Sequence, residues 1–110
     1  MTPKSFPGEF EQMVMLGILQ QGDEAFALEV RREIEERAGR EVSRGAFYTT
    51  LDRLESKGWV RWTTDTPADA RGGGRLRRFE VTAEGLAALR MSHAAMENLA
   101  RGLEELLEEA

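Results

Sequence analysis

The sequence predicts a mostly α, α+β domain: three short helices, a small β-hairpin and one long C-terminal helix. Three observations predict it. Apolar residues recur at three- and four-residue spacing in three early segments, each bounded by glycine or a capping side chain. The aromatic and β-branched stretch Trp59–Thr64 is followed by a glycine triplet and the alternating stretch Leu76–Thr82, the pattern of two strands joined by a loop. From Leu86 onward, apolar residues follow a sustained 3,4 spacing, which marks a helix that packs along a seam. A chain of 110 residues with three prolines fits one compact domain. We divide it into an N-terminal arm (1–8), a helix-and-hairpin unit (9–82) and a C-terminal helix (83–110).

The elements follow in order. Met1–Gly8 has two prolines and no periodicity. Phe10, Met13, Val14, Gly17 and Ile18 then share one helical face, which Met15, Leu16 and Leu19 widen, so the first helix reads as largely buried. Gly22-Asp23 ends it. Asp23 or Glu24 is a candidate cap for a second helix over Ala25–Ala38, with Phe26, Ala27, Val30 and Ile34 apolar and Gly39 as its stop. Ser43 stands where an N-cap belongs, before Arg44–Lys57, in which Phe47, Leu51 and Leu54 form the apolar stripe. Gly58 closes that helix. In the second strand Leu76, Arg78, Glu80 and Thr82 fall on one face and Arg77, Phe79 and Val81 on the other. Thr82 caps the last helix, Ala83 to about Glu108, which at ~1.5 Å per residue would be ~39 Å long, more than a domain this small can cover. Its seam is Leu86, Leu89, His93, Met96, Ala100, Leu103 and Leu107, broadened by Leu99 and Leu106. A second copy of the chain is the expected occupant.

Composition excludes several functions. Without cysteine there is no disulfide, thiol nucleophile or Cys-ligated metal, and a reducing cytoplasm is the expected compartment. The single histidine, His93, cannot build a two-histidine zinc site. It sits on the seam facing Glu97 and reads first as a satisfied seam histidine, with a pH-sensitive pairing as the intermediate reading. No paired-carboxylate motif is present, the Gly72–Gly74 triplet is not a phosphate-binding P-loop, and neither an enzyme nor a cofactor is expected. No apolar run approaches the ~20 residues that cross a bilayer, and no signal peptide opens the chain, so no membrane partner is expected.

The net charge of −5 conceals an uneven distribution. Residues 1–30 and 91–110 each carry one basic residue against five acids, whereas residues 31–90 carry 13 basic and 10 acidic residues. Arg71–Arg78 holds four arginines and no acid. A local basic patch on an acidic chain suits a polyanion bound at one face. Three helices followed by a hairpin is the winged helix–turn–helix plan, in which the third helix enters the major groove of DNA and the hairpin wing contacts the backbone. A rotation of 100° per residue sets Gly45, Thr49, Asp52 and Ser56 opposite the apolar stripe, flanked by Tyr48 and Arg53. Ser43 and Gly45 remove bulk at the helix start, and the wing supplies Arg71, Arg75, Arg77 and Arg78.

The run Val42-Ser43-Arg44-Gly45-Ala46-Phe47-Tyr48, with Leu51, Arg53-Leu54-Glu55 and Lys57-Gly58-Trp59-Val60 after it, resembles the signature of the PadR family of bacterial transcriptional regulators. Leu16–Leu19, Phe26–Val30 and Gly73–Gly85 are similar to its first two helices, wing and fourth-helix start. Where the family commonly has Tyr-Gly this chain has Phe26-Ala27, and after Tyr48, where proline is common, stands Thr49. The resemblance covers roughly Glu9 to Leu89 and implies a homodimeric repressor of the short form that binds an inverted-repeat operator in double-stranded DNA. By position it implies Tyr48 as the foremost contact of the recognition helix, followed by Arg44, Thr49 and Arg53. Trp59 and Trp62 read as core or wing-packing residues, and a small-molecule effector stacked on one of them is a lesser expectation. The rival reading, motivated by the acidic total and by Asp52, is a winged-helix adaptor that binds protein and not DNA.

Overall fold

The computed structural model describes residues 6–65 and 76–108. The elements are α1 (Glu9–Gln21), a 3-10 turn (Gly22–Glu24), α2 (Ala27–Ala38), α3 (Arg44–Ser56), β1 (Val60–Asp65), β2 (Leu76–Val81), α4 (Ala83–Ala100) and α5 (Glu104–Glu108). This is the mostly helical plan with one antiparallel hairpin that the sequence predicts. The hairpin register pairs Val60 with Val81, Trp62 with Phe79 and Thr64 with Arg77. Side chains of paired residues share a face, so the alternation read from the second strand holds: Phe79 is buried and Glu80 exposed.

The core is built where apolar stripes converge. Val14, Met15 and Ile18 of α1, Val30 and Ile34 of α2, Phe47, Leu51 and Leu54 of α3, Trp59, Val60 and Phe79 of the hairpin, and Ala88 and Leu89 of α4 form one cluster. The expected caps of α3 and α4 are present. Ser43 Oγ accepts the Ala46 N–H at 3.1 Å, and Thr82 Oγ1 accepts the Gly85 N–H at 3.0 Å while donating to the Gly58 carbonyl at 2.6 Å. Each satisfies a helix N–H that would otherwise lack a partner. Thr82 also donates its own N–H to the Trp59 carbonyl at 2.9 Å, locking the hairpin onto the start of α4.

Three expectations are corrected. The second helix begins at Ala27 and not Ala25, and Asp23 and Glu24 lie in the 3-10 turn without capping it. Ala25 turns the chain (φ −80°, ψ 64°) and Phe26 runs extended beside β2 instead: the Phe79 N–H donates to the Ala25 carbonyl at 2.9 Å, and Phe26 bridges Arg78. Pairing with the strand satisfies backbone groups that one more helical turn would have left on β2. Second, Leu16 and Leu19 do not widen the buried face of α1: they are 51% and 44% exposed, because the other elements of the chain cover only the opposite side.

Third, the long C-terminal helix is interrupted. Arg101 is extended (φ −62°, ψ 129°) and Gly102 has φ +90°, a conformation that costs an L-residue side-chain strain and costs glycine little. The Glu104 carboxylate accepts the Gly102 N–H at 3.0 Å and holds the break. The seam is therefore split: Leu86, Leu89, His93, Met96, Leu99 and Ala100 lie on α4, Leu103 in the turn, and Leu106 and Leu107 on α5. Its first part also folds back on the chain itself, with Leu89 buried in the core and Leu86 half-buried. Beyond His93 the apolar positions stay outward, Met96 and Leu99 being 65% and 76% exposed.

Candidate nucleic-acid interface

The candidate surface is organised by the rotation of α3. Phe47, Thr50, Leu51 and Leu54 are buried, which leaves Gly45, Thr49, Asp52 and Ser56 on the exposed side, together with Ser43 at the cap. Arg44 and Tyr48 flank this surface on one side and Arg53 on the other, as the 100° rotation requires. Tyr48 is half-buried: its ring packs edge-on against Phe47, centroids 5.6 Å apart and planes at 81°. It is thus both a core-edge aromatic and a surface residue, with the core fixing the ring. Arg44, one turn earlier, lies over the Tyr48 ring with its guanidinium carbon 5.9 Å from the centroid.

On the Arg44–Tyr48 side the surface opens into a groove of about 920 Å³ between the start of α2, the start of α3 and β2. Arg31, Arg44, Tyr48 and Arg77 line it, together with Phe26 and the acids Glu24 and Glu29. Three guanidinium groups against two carboxylates leave it positive. Arg31 is not among the residues that the sequence singles out. It reaches the α2–α3 connection, donating from Nη2 to the Val42 carbonyl at 3.3 Å. Only tertiary packing, with α2 and α3 both laid against α1, brings it to the groove, and no spacing signal reports that.

The sequence-predicted wing residues separate. Arg77 is exposed on the groove side and stacks over the Trp62 ring, 4.4 Å from its centroid. Arg78, on the other face of β2, is half-buried opposite Thr63 and bridged to Phe26. Arg71 and Arg75 lie outside the described residues. Arg53, exposed on the far flank of α3, is not among the groove's lining residues. Its charge acts on Glu11 of α1.

Glu11 anchors the far end of α3. Its carboxylate accepts the Gly8 N–H at 2.7 Å and the Lys57 ammonium at 2.8 Å. Burial pushes its pKa up, but Lys57, the Gly8 N–H and the field of Arg53 together outweigh burial and hold it below its ordinary value. Lys57 in turn lies 4.8 Å from the centroid of the buried Trp59 ring. Among the seam residues His93 does face Glu97, with Nε2 3.3 Å from the carboxylate.

Residues 15–91 match the model of the transcriptional regulator PadR-like family. The chain belongs to this family. Solved PadR-family structures are similar to it over nearly their whole length. A PadR-like transcription factor from Bacteroides fragilis is 21% identical with a TM-score of 0.72, covering 91% of each chain. A PadR family transcription regulator from Clostridium difficile is 21% identical with a TM-score of 0.70, covering 89% of this chain and 98% of that one. A PadR family transcriptional regulator from Eggerthella lenta is 27% identical with a TM-score of 0.66, covering 93% of this chain and 88% of that one. No curated protein matches the chain. These PadR-family neighbours share the winged-helix architecture, and the matched region runs from α1 through the hairpin into α4. Among the described residues no helix is long and apolar enough to cross a membrane.

Proposed function

We propose that this PadR-like chain is a cytoplasmic, homodimeric repressor that binds an inverted-repeat operator in double-stranded DNA. The observation that carries the reading is the groove where Arg44, Tyr48 and Arg77 converge, beside the small exposed face of α3. A helix that shows Gly45 and Thr49 outward can approach base edges closely, and the flanking cations suit the phosphates on either side. Ser43, Arg44, Gly45, Tyr48, Thr49 and Arg53 form the recognition-helix set, and Arg71, Arg75, Arg77 and Arg78 the wing set. The exposed Met96, Leu99, Leu103, Leu106 and Leu107 supply an apolar surface that pairing with a second copy would cover. Two recognition helices related by a two-fold axis read half-sites about one helical turn, ~34 Å, apart.

Selection of binding sites from a random duplex pool tests this. An enriched inverted repeat is expected, with Thr49→Ala shifting the preferred bases and Arg77→Ala weakening all sequences alike. A pool that yields no enriched site, together with no retention on heparin at low salt, contradicts DNA recognition. That outcome would favour the adaptor reading, which the exposed Asp52 in the middle of the α3 face supports.

A further inference from the structure

Trp62 touches none of the groove's open space, yet one of the groove's cations rests on it. Register explains how. Trp62 pairs with Phe79 and Thr64 with Arg77, so Trp62 and Arg77 lie diagonally on the same face of the hairpin. Phe79 is fully buried and Trp62 packs half-buried against the core. The indole is therefore fixed by the core, while Arg77 sits two residue pairs farther out, where that face meets solvent. An arginine at this position would ordinarily sample many rotamers. A cation–π contact at 4.4 Å from the ring centroid restricts that freedom and leaves the guanidinium N–H groups for another partner. A guanidinium seated over a ring keeps its N–H groups for a pair of oxygens, such as two of a phosphate. The opposite wall repeats the device, with Arg44 over Tyr48 and Tyr48 fixed edge-on against Phe47. Two arginines, each laid on an aromatic ring that the core holds, thus face one groove from α3 and from β2.

We infer that Trp62 is the positioning residue for a backbone-phosphate contact of duplex DNA made by Arg77, the groove receiving that phosphate between Arg77 and the Arg44–Tyr48 pair. The inference rests on the DNA-binding reading given above. It assigns to a neutral, half-buried tryptophan part of an electrostatic contact. Glu24 and Glu29 also line the groove, and their charge disfavours a polyanion laid along all of it.

The salt dependence of duplex binding separates this role from simple packing. Each phosphate neutralised contributes about 0.9 to the slope of log affinity against log salt. Arg77→Ala is expected to lower that slope by about 0.9, and affinity about tenfold at 0.1 M salt. Trp62→Leu removes no charge. If Trp62 holds Arg77 on a phosphate, Trp62→Leu lowers the slope as well, Trp62→Tyr restores it, and Trp62→Leu adds nothing in the Arg77→Ala background. A tryptophan that only packs would lower the melting temperature and leave the slope unchanged. The stacking itself is read in the unaltered chain, where the ring current should move the Arg77 side-chain protons upfield in the NMR spectrum. Unshifted Arg77 protons, an unchanged slope in Trp62→Leu, or additive losses in the double variant would overturn the inference while leaving DNA binding intact. No duplex binding by the unaltered chain would overturn both.

Discussion

A Cβ placed on Gly85 would lie 2.2 Å from the Trp59 carbonyl oxygen, which is backbone and cannot turn aside. Helix α4 begins this close to the hairpin because Thr82 ties both together. Gly85→Ala should therefore destabilise the fold by about 2–3 kcal/mol despite the better helix propensity of alanine. In a domain of this size that lowers Tm by roughly 10–20 °C. A melting temperature within a few degrees of the parent would show that the α4–hairpin junction is looser than drawn. Glu11 makes a pH prediction. Its carboxyl is held below its ordinary value by Lys57, Gly8 and Arg53 against the opposing effect of burial. A depressed folded-state pKa contributes stability above the unfolded-state value, near 4.5, and that contribution is lost as pH falls through the folded value. Glu11→Gln should cost about 1–2 kcal/mol at pH 7 and flatten the loss of stability below pH ~4.5. Parallel denaturant-midpoint profiles of the two proteins from pH 7 to 3 would contradict it.

At the scale of elements, the C-terminal surface makes the sharpest prediction. Leu99 is 76% exposed, so Leu99→Glu costs the single chain little; in a dimer covered along α4 it would bury a charge. Sedimentation equilibrium should show dimerisation weakened by at least about tenfold, with the melting of the isolated chain unchanged. An identical dimerisation constant would remove α4 from the interface. The same elements show what can be read without coordinates. Ser43 and Thr82 were legible as caps because capping is local chemistry, and the two strands were legible because alternation is local too. The groove was legible only in part: Arg44, Tyr48 and Arg77 follow from motif and plan, whereas Arg31 enters through the packing of separate helices and the placing of Trp62 beside Arg77 depends on the hairpin register. The pairing of Ala25 and Phe26 with β2 was hidden because that strand lies about 50 residues later in the chain and decides it. The break at Arg101–Gly102 is a different case. Glycine at that position is a local stop signal, but an unbroken 3,4 apolar spacing ran through it and outweighed it in the reading.

At the scale of the molecule, charge placement matters more than total charge. An acidic chain of −5 presents Arg31, Arg44 and Arg77 together at one groove, while Arg53 and Lys57 serve Glu11 on the opposite flank of α3. The acidic remainder would disfavour indiscriminate contact with polyanions and leave one face able to meet them. That separation, a basic groove beside a small helical face, is the central claim about function. Its most direct test is a salt series of fluorescence-anisotropy binding to duplex DNA from upstream of the protein's own gene, with random duplex as competitor. The account predicts binding that survives the competitor and falls steeply with salt, with a slope of about −0.9 for each phosphate neutralised. Absence of binding to either duplex, even at low salt, would contradict it.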